Sequence, residues 1–375
     1  CPICVPARAS FATGRYVHDI GYWDNSMGYD GRVKGWGHRL QAAGMRVESI
    51  GKLHYRLETD DVGLDRQHIP MHIKDGVGML HLSIRQHFVD ALPTLRPNGI
   101  IGAAGPGESE YTRYDRKIAA LACDWLAQAA ANPTENPWVL FVSFVTPHYP
   151  LVAPEEFFNL YNLDDMPPIK CSPRDGFTPH PWHQALLART AAETYSETQH
   201  RTAAAAYLAL CSFMDAQVGH VLNALGEHGF AESTRIIYTS DHGENAGTRG
   251  MWGKSNHYEE ASGVPLIVAG QDVAAGAVCA TPTTLVDVHP SILQGTGLPH
   301  GKDGTPGRSL FDIADTADDL DRVAFSEYHA AGSPSGSFMV RKGNYKYIYY
   351  VGFEPELFDL LKDPEELNNV AGSTA

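Results

Sequence analysis

Trp138-Val139-Leu140-Phe141-Val142-Ser143-Phe144-Val145-Thr146 is the stretch of sequence that says most about the fold. Almost every residue in it is apolar, whereas a strand with one solvated face would alternate between apolar and polar residues. The run is short and rich in β-branched and aromatic side chains, which favours a strand over a helix. We therefore predict a strand buried on both faces, as in sheets that are covered by helices on both sides.

Comparable apolar runs alternate with helical patterns along most of the chain. The further predicted strands are 46–50, 235–240 and 264–269. The predicted helices are 35–43, 111–131, 198–228 and 284–294, and Gly229 ends the third of them. Strands that alternate with helices are typical of a doubly wound α/β fold. We predict a mixed, mostly parallel sheet with helices on both faces.

The pattern changes after residue 305. Short strands are predicted at 323–328, 337–341, 345–350 and 356–359, and Lys342-Gly343-Asn344 is a candidate tight turn. These features predict a small antiparallel sheet. We therefore divide the chain into a catalytic α/β domain, residues 1–305, and a small C-terminal α+β subdomain, residues 306–375. The segment 166–181 is rich in Pro, Asp and Gly, and we interpret it as a surface insertion.

Composition excludes several classes of protein. The formal net charge of −15 argues against nucleic-acid binding, because an acidic surface and a phosphate backbone repel each other. No apolar run approaches the roughly 20 residues needed to span a bilayer, so we expect no membrane insertion. The six cysteines are too few and too scattered for a disulfide framework. An acidic chain is compatible with a small cationic substrate, and a homo-oligomeric state is left open.

A short motif at the start of the chain carries the first chemical signal. Cys4-Val5-Pro6-Ala7-Arg8 has the form Cys-x-Pro-x-Arg, and Thr13-Gly14-Arg15 extends the motif. Cys4 sits at the start of a predicted short helix, 7–13. The helix dipole would favour an oxyanion near Cys4. Cys1-x-x-Cys4 is also compatible with a redox or metal pair, although no second Cys-x-x-Cys accompanies it.

Further polar segments lie close to predicted strands. They are Gly51-Lys52-Leu53-His54, Thr146-Pro147-His148-Tyr149-Pro150, Ser240-Asp241-His242-Gly243-Glu244 and Trp252-Gly253-Lys254 with Tyr258-Glu259-Glu260. The first three follow predicted strand ends, where an open α/β sheet forms its ligand sites. Arg8, Lys52 and Lys254 could neutralise an anionic ester. Taken singly, a histidine such as His54 or His148 is more often structural, and Lys254 alone is more often a surface charge.

These motifs together resemble the sulfatase family of the alkaline phosphatase superfamily, including bacterial arylsulfatases and choline sulfatase-like enzymes, and the resemblance covers nearly the whole chain. It implies hydrolysis of a sulfate monoester by a formylglycine nucleophile, made from Cys4 by a formylglycine-generating enzyme. An ordinary thiol would leave a sulfur adduct that is hard to release. An aldehyde hydrate has two hydroxyls on one carbon, so one can attack sulfur and the other can drive the expulsion of sulfate.

The resemblance also implies a role for each site residue. Cys4 is the nucleophile and touches the metal, and Arg8 holds the aldehyde hydrate. Lys52 and His54 lie on the nucleophile side, with His54 as the expected proton acceptor. His148 and Lys254 contact the sulfate and the leaving oxygen, and one of them protonates that oxygen. The substrate-binding residues are thus Lys52, His148 and Lys254.

The same resemblance implies one divalent metal ion, Ca²⁺ or Mn²⁺, bound by Cys4, Asp241 and His242. Many sulfatases have asparagine where this chain has His242, and imidazole suits Mn²⁺ better than Ca²⁺. Similar proteins take two further metal-binding aspartates from a first strand upstream of the cysteine. We therefore expect this sequence to be N-terminally truncated, which leaves a signal peptide unassessed. The location we expect is the bacterial cytoplasm or periplasm.

Two other functions remain open. Asp241-His242 resembles the pair found in enzymes that hydrolyse phosphonate monoesters and in choline sulfatase-like enzymes. It motivates the alternative, a phosphonate monoester or phosphodiester hydrolase with the same nucleophile. A non-catalytic protein that binds sulfate esters is the third hypothesis, since the first strand is absent from this sequence. The alcohol half of the substrate would be bound by loops such as 55–110 and 160–195, which carry no motif.

Overall fold

The structure is a computed structural model that describes residues 1–78, 100–187, 195–301, 304–330 and 332–372. The helices are α1 Cys4–Thr13, α2 Val17–Ile20, α3 Trp36–Ala42, α4 Glu110–Ala131, α5 Glu155–Phe158, α6 Pro181–Leu187, α7 Glu197–Glu227, α8 Glu259–Ser262, α9 Val288–Gly295 and α10 Leu310–Ala314. The strands are β1 Arg46–Lys52, β2 Arg66–Met71, β3 Gly105–Pro106, β4 Trp138–Ser143, β5 Val152–Ala153, β6 Arg235–Thr239, β7 Leu266–Gly270, β8 Val323–Tyr328, β9 Ser337–Lys342, β10 Tyr345–Tyr350 and β11 Glu356–Asp359.

The central sheet has the order β2-β1-β4, and both pairs are parallel. On one face, α4 and α7 pack against it through Ile50, Trp125 and Leu225. On the other face, α3 and α9 pack against it through Leu40, Val47 and Leu293. Strands that are covered by helices on both faces confirm the predicted α/β class.

A second, antiparallel pair, β6-β7, lies between the same layers of helices. Ile236 of β6 packs with α4 and α7, whereas Ile237 packs with α9 and α10. Within the described ranges, β4 and β6 each have a strand partner on one edge only. The predicted full burial of 138–146 is therefore wrong: the strand ends at Ser143, and its other side chains are half-buried.

The C-terminal sheet is antiparallel with the order β11-β10-β9-β8, as the sequence predicts. A two-residue turn, Gly343-Asn344, connects β9 to β10, and Gly343 has a φ of +54°. Such a turn needs backbone conformations that glycine and asparagine adopt readily. The predicted helix 284–294 begins instead with a 3₁₀ turn, Leu285–Asp287, before α9.

The inner face of the C-terminal sheet packs on the larger unit through aromatic residues. Tyr328, Tyr350 and Phe358 form one core cluster with Trp182 and Tyr258. The helix α10 packs on α9 rather than on the C-terminal sheet. The boundary at residue 305 stays a prediction, and the last residues of the predicted subdomain lie outside the described ranges.

Segment 166–181, the predicted surface insertion, lies against the turn that precedes Trp252. The carbonyl of Lys170 accepts a hydrogen bond from the backbone N–H of Arg249 at 3.0 Å. None of the helices in the described ranges combines the length and apolar character that crossing a membrane requires.

Candidate active site

Helix α1 carries two of the predicted site residues on one face. The sequence predicted this helix from residue 7, but it begins at Cys4 and ends at Gly14, which has a φ of +67°. Cys4 and Arg8 are therefore four residues apart on a continuous helix, so both side chains project toward the same side. Both are buried, with exposed fractions of 1% and 9%.

The first turn of α1 receives its hydrogen-bond partner from another part of the chain. Ile3, which precedes the helix, has no side chain that could cap it. Instead, the N–H of Val5 donates to Oδ1 of Asn25 at 3.1 Å. Asn25 thus orients the helix terminus, whose dipole favours negative charge at Cys4.

Arg8 connects three elements at the carboxyl ends of the strands. Its Nε donates to Oδ2 of Asp241 at 2.7 Å, and its Nη1 donates to the Lys52 carbonyl at 2.7 Å and to Ser143 Oγ at 3.0 Å. The planar guanidinium suits such divergent acceptors, whereas an ammonium is a point charge. Arg8 therefore holds together α1, the end of β1, the end of β4 and the loop after β6.

The end of β1 turns sharply toward Cys4. Lys52 is 3% exposed, and its Nζ lies 4.0 Å from Cys4 Sγ. His54 has a φ of +55°, because the N–H groups of Leu53 and His54 both donate to the Met71 carbonyl, at 3.1 and 2.7 Å. A non-glycine residue in the left-handed region is strained, and such strain often accompanies function. The turn brings the His54 side chain close enough to Lys52 and Cys4 for both to shift its pKa.

His148 and Lys254 form a pair on another side of Cys4. His148 Nδ1 lies 2.8 Å from the Tyr149 carbonyl, which can only accept, so Nδ1 carries the proton. Nε2 is then free to accept from the Lys254 ammonium at 2.9 Å. The His148 ring also lies near that of His242, with ring centroids 6.4 Å apart. The Lys254 ammonium and the His148 ring can therefore both contact a ligand that binds beside Cys4.

The predicted metal ligands lie together. His242 Nδ1 is 2.8 Å from the Gly243 carbonyl, which places the proton there and leaves Nε2 as the coordinating atom, 3.0 Å from Cys4 Sγ. Donor atoms of Cys4, Asp241 and His242 all lie within 4.8 Å of one another. A carboxylate, an imidazole and the position-4 side chain therefore fit one divalent cation, with the His242 ring oriented by a carbonyl.

Burial and charge shift the ionisation of these groups. Burial disfavours a Cys4 thiolate, but the ammonium groups of Lys254 and Lys52 outweigh it and hold the pKa of the thiol well below its usual value. Burial and the charge on Lys52 lower the pKa of His54 to about 4. Burial and the charge on Lys254 lower the pKa of His148 to about 3. Both histidines are therefore neutral near pH 7 and able to accept a proton.

Asp115 on α4 orients the segment that leads to His148. It is fully buried and accepts from the N–H groups of Val145 and Thr146, at 2.9 and 2.8 Å, and from the Thr146 hydroxyl at 2.6 Å. Burial raises the pKa of Asp115, while these hydrogen bonds oppose that change. Because β4 ends at Ser143, these bonds fix the backbone between the strand and His148.

Asp115→Ala is expected to lower the free energy of unfolding by about 2–5 kcal/mol, because two buried N–H groups lose their acceptors. We also expect kcat to fall between about tenfold and 100-fold through displacement of His148. Urea denaturation and steady-state kinetics measure the two effects. The control is Asp124→Ala, since Asp124 is exposed on the same helix. Equal behaviour of the two variants would contradict the role of Asp115.

The structure brings together Cys4, Arg8, Lys52, His54, His148, Asp241, His242 and Lys254, which is the whole set selected from the sequence. The sequence did not point to Asn25, Asp115 or Ser143, because each acts on a partner far along the chain. Glu244 stood inside a quoted motif without a role. The fully buried Trp182 and His183 belong to the core under the C-terminal sheet. Parts of the two substrate loops, residues 79–99 and 188–194, lie outside the described residues.

A cysteine at a helix N-terminus, a metal donor set and buried cations at strand ends together form the kind of site that a hydrolase of anionic esters needs. Comparison with known proteins agrees with this class. The family model "Sulfatase" matches residues 1–298, and the model "N-sulphoglucosamine sulphohydrolase, C-terminal" matches residues 247–375. The chain is 31% identical to a choline-sulfatase of Rhizobium meliloti (strain 1021), over 99% of this chain and 73% of that protein. It is 28% identical to human arylsulfatase K, over 99% of this chain and 70% of that protein.

Solved structures share the fold. A phosphonate monoester hydrolase from Silicibacter pomeroyi superposes with a TM-score of 0.74 at 22% identity, covering 99% of this chain and 82% of that one. A structure described as BT4656 in complex with its substrate D-glucosamine-2-N,6-O-disulfate superposes with a TM-score of 0.72 at 20% identity, covering 99% and 84%. The chain belongs to the sulfatase family, and it is a sulfuric ester hydrolase.

Proposed function

We propose that this protein hydrolyses a sulfate monoester by means of formylglycine at position 4 and one divalent metal ion. The observation that carries the proposal is the set of groups around Cys4 Sγ: His242 Nε2 and Lys52 Nζ lie 3.0 and 4.0 Å from it, and His54 and His148 lie close enough to interact with its charge. In this structure, Cys4 Sγ marks the place that the hydroxyl oxygens of the aldehyde hydrate would take in the mature protein. That hydrate supplies a nucleophile that can be regenerated after each turnover. A formylglycine-generating enzyme would carry out the modification.

Buried cations surround the place where the ester would bind. Arg8, Lys52 and Lys254 supply positive charge from three different elements. Arg8 contacts Asp241 and two further acceptors, so we assign it to holding the position-4 side chain and the site together. Lys52 and Lys254 stay available for sulfate oxygens. Preorganised charges of this kind stabilise a transition state more than the same charges in water.

Neutral histidines complete the assignment of proton transfer. His54 lies next to Cys4 on the β1 side, so we assign it to accept the nucleophile's proton. His148 and Lys254 lie together on the other side, with Nζ and Nε2 2.9 Å apart. We assign this pair to the sulfate and the leaving oxygen, one member donating the proton. The two sides of Cys4 thus have opposite tasks.

The residues that would hold the metal ion are Cys4, Asp241 and His242. The ion would supply positive charge to the nucleophile and to the sulfate oxygens. Imidazole nitrogen is a better ligand for Mn²⁺ than for Ca²⁺, and carboxylate oxygen suits both. We therefore propose Mn²⁺ as the preferred ion and Ca²⁺ as the alternative.

Removing the metal is expected to lower kcat by about 100-fold or more, because the ion contributes several kcal/mol of charge stabilisation. The protein is dialysed against a chelator, its metal content is measured, and Mn²⁺ or Ca²⁺ is added back. Mn²⁺ should restore activity at lower concentration than Ca²⁺. Asp241→Asn should need more of either ion. A metal-free protein with full activity would contradict the proposal.

The alternative reaction is hydrolysis of a phosphonate monoester or phosphodiester by the same nucleophile. Two observations favour it: the Asp241-His242 pair and the structural likeness to a phosphonate monoester hydrolase. Turnover of nitrophenyl sulfate and of a nitrophenyl phosphonate monoester is compared on one preparation. We expect kcat/KM to be higher for the sulfate, and a higher value for the phosphonate would replace our proposal by the alternative.

The alcohol half of the substrate is proposed from the relatives and from the walls of the site. The rhizobial relative's name gives choline as the alcohol. Tyr149 lies with its ring 5.2 Å from Lys254 Nζ, and Tyr111 packs edge-on against His148. Aromatic faces attract quaternary ammonium groups, and the net charge of −15 suits a cationic substrate. Choline sulfate is therefore the first natural ester to compare with aryl sulfates. Location in the bacterial cytoplasm or periplasm and assembly into a homo-oligomer stay predictions.

A further inference from the structure

The loop that carries Lys254 is attached to the rest of the site by Glu244. Two backbone donors converge on one oxygen of this side chain: the N–H of Ala246 donates to Oε1 at 3.1 Å, and the N–H of Gly253 donates to the same Oε1. Gly253 is the residue immediately before Lys254 and has a φ of +85°. One carboxylate oxygen therefore joins the segment after His242 to the segment before Lys254.

Asn245 fixes the other polar backbone group of Gly253, its carbonyl. Its backbone N–H and its side-chain Nδ2 both donate to the Gly253 carbonyl, each at 2.7 Å. Nδ2 also lies 3.5 Å from the Lys254 carbonyl, and the Asn245 Oδ1 accepts from Asn256 at 2.9 Å. Asn245 and Asn256 are 1% and 0% exposed. Both polar groups of Gly253 are thus held, which sets the direction in which the Lys254 side chain leaves the backbone.

The Glu244 side chain acts on the Lys254 loop through Oε1, which accepts both backbone hydrogen bonds. Burial raises the pKa of Glu244, although the hydrogen bonds from Ala246 and Gly253 oppose this change. Since both N–H groups bond to Oε1, a side-chain amide oxygen could replace it. A methyl group could not, and an aspartate is one methylene too short to span the same gap.

We propose that Glu244 is a positioning residue for the leaving-group step: its Oε1 holds the Gly253 N–H so that the Lys254 ammonium stays 2.9 Å from His148 Nε2. The inference rests on the proposed role of Lys254 at the leaving oxygen. Its consequence is specific. Loss of Glu244 should slow the hydrolysis of esters whose alcohol must be protonated in order to leave. It should have little effect on the hydrolysis of esters whose alcohol leaves readily as an anion.

The test compares phenyl sulfate, a poor leaving group, with nitrophenyl sulfate, a good one. Glu244→Ala is expected to lower kcat for phenyl sulfate by about 100-fold, the size of effect that a displacement of about 1 Å produces in an active site. For nitrophenyl sulfate the fall is expected to be about fivefold, and KM should change little for either ester. Glu244→Gln should have a kcat within about threefold of that of the protein without substitutions on both esters, because the glutamine amide oxygen can accept both hydrogen bonds.

A double-mutant cycle shows whether Glu244 acts through Lys254. If it does, Glu244→Ala combined with Lys254→Ala is no slower than Lys254→Ala alone. The matched control is Asp287→Asn. Asp287 is a fully buried carboxylate at the end of the 3₁₀ turn before α9, and it accepts from the N–H groups of Thr284 and Arg308 at 2.8 and 2.9 Å. This substitution should lower the thermal midpoint and leave the ratio of kcat on the two esters unchanged. If Glu244→Ala does not fold, Glu244→Asp carries the same expectation.

Different results separate the inference from the function on which it rests. Lys254→Ala alone should show the leaving-group dependence, and its absence would reject the proposed role of Lys254. Suppose that Lys254→Ala shows the leaving-group dependence but Glu244→Ala loses activity equally on both esters. The positioning role of Glu244 is then overturned. It is also overturned if the losses caused by the two single substitutions multiply in the double variant. A Glu244→Gln variant as slow as Glu244→Ala would overturn it too, because acceptance at Oε1 would then not suffice.

Discussion

Cys4→Ala is expected to lower kcat on nitrophenyl sulfate by about 10⁴-fold or more, since removal of a nucleophile leaves only binding and electrostatic stabilisation. Another thiol cannot take over the position, because among the cysteines of the described ranges it is Cys4 that contacts Lys52 and His242. Alanine fits the first turn of α1, so the free energy of unfolding should change little. The measurement is kcat, with urea denaturation to show that the variant is folded.

The control for Cys4 is Cys123→Ala. Cys123 is half-buried on α4, a helix of similar alanine-rich composition, and its Sγ donates only to the His220 carbonyl at 3.5 Å. This variant should have the same kcat as the protein without substitutions. A Cys4→Ala protein that turns over sulfate esters at an undiminished rate would remove the basis of the mechanism.

Mass spectrometry of the Cys4 peptide tests the chemical form of the nucleophile. Conversion of a thiol to an aldehyde removes one sulfur and two hydrogens and adds one oxygen. We expect this change in active preparations, with kcat proportional to the fraction converted. Activity that is unrelated to the converted fraction would mean that the thiol itself reacts, which the low thiol pKa would permit.

Arg8→Lys is expected to lower kcat by about 10³-fold and the free energy of unfolding by about 2–4 kcal/mol, because an ammonium cannot replace all the hydrogen bonds that the guanidinium makes to Asp241 and its two other acceptors. The guanidinium bonds Asp241, the Lys52 carbonyl and Ser143 at once, with distances of 2.7, 2.7 and 3.0 Å. A lysine ammonium does not reach these divergent acceptors in the geometry of a planar fork. Asp241 would then move, and with it the proposed metal site.

Arg322→Lys provides a close control for Arg8. Arg322 donates from Nη2 to the buried Asp287 at 2.6 Å and from Nη1 to the Pro282 carbonyl, so it makes the same kinds of contact away from Cys4. It should lower stability by a comparable amount and keep kcat within about threefold. The role of Arg8 in the site would be contradicted if the two variants lost kcat equally, since stability alone would then explain the loss.

Most of the elements that were predicted from local patterns have bounds within two residues of those observed, because side-chain periodicity reports the burial of one face directly. The short elements and the strand β2 were not predicted. The start of α1 was missed for a physical reason. Helix starts are recognised by a capping Ser, Thr, Asp or Asn, and this helix follows Ile3. The N–H of Val5 in its first turn donates instead to Asn25, which lies on a separate loop. As a result, the shared helical face of Cys4 and Arg8 was not foreseen.

The burial of β4 was overestimated for a related reason. Its residues are apolar throughout, but apolar character shows only that a strand can be buried. How far it is buried depends on its neighbours, and in the described part of the chain β4 pairs with β1 on one edge only. The antiparallel C-terminal sheet was predicted well, because its alternation and its turn residues are local signals.

The sequence by itself determined the family, the α/β class and the kinds of side chain in the site, since a motif and a periodicity are properties of neighbouring residues. Only the tertiary structure decided the pairings: Lys254 with His148, which are 106 residues apart, and Arg8 with Asp241, which are 233 apart. Glu244 shows the same division, because its partners are backbone N–H groups that every residue except proline possesses. Which of them it meets depends on how loops pack, and that is a property of the folded chain alone.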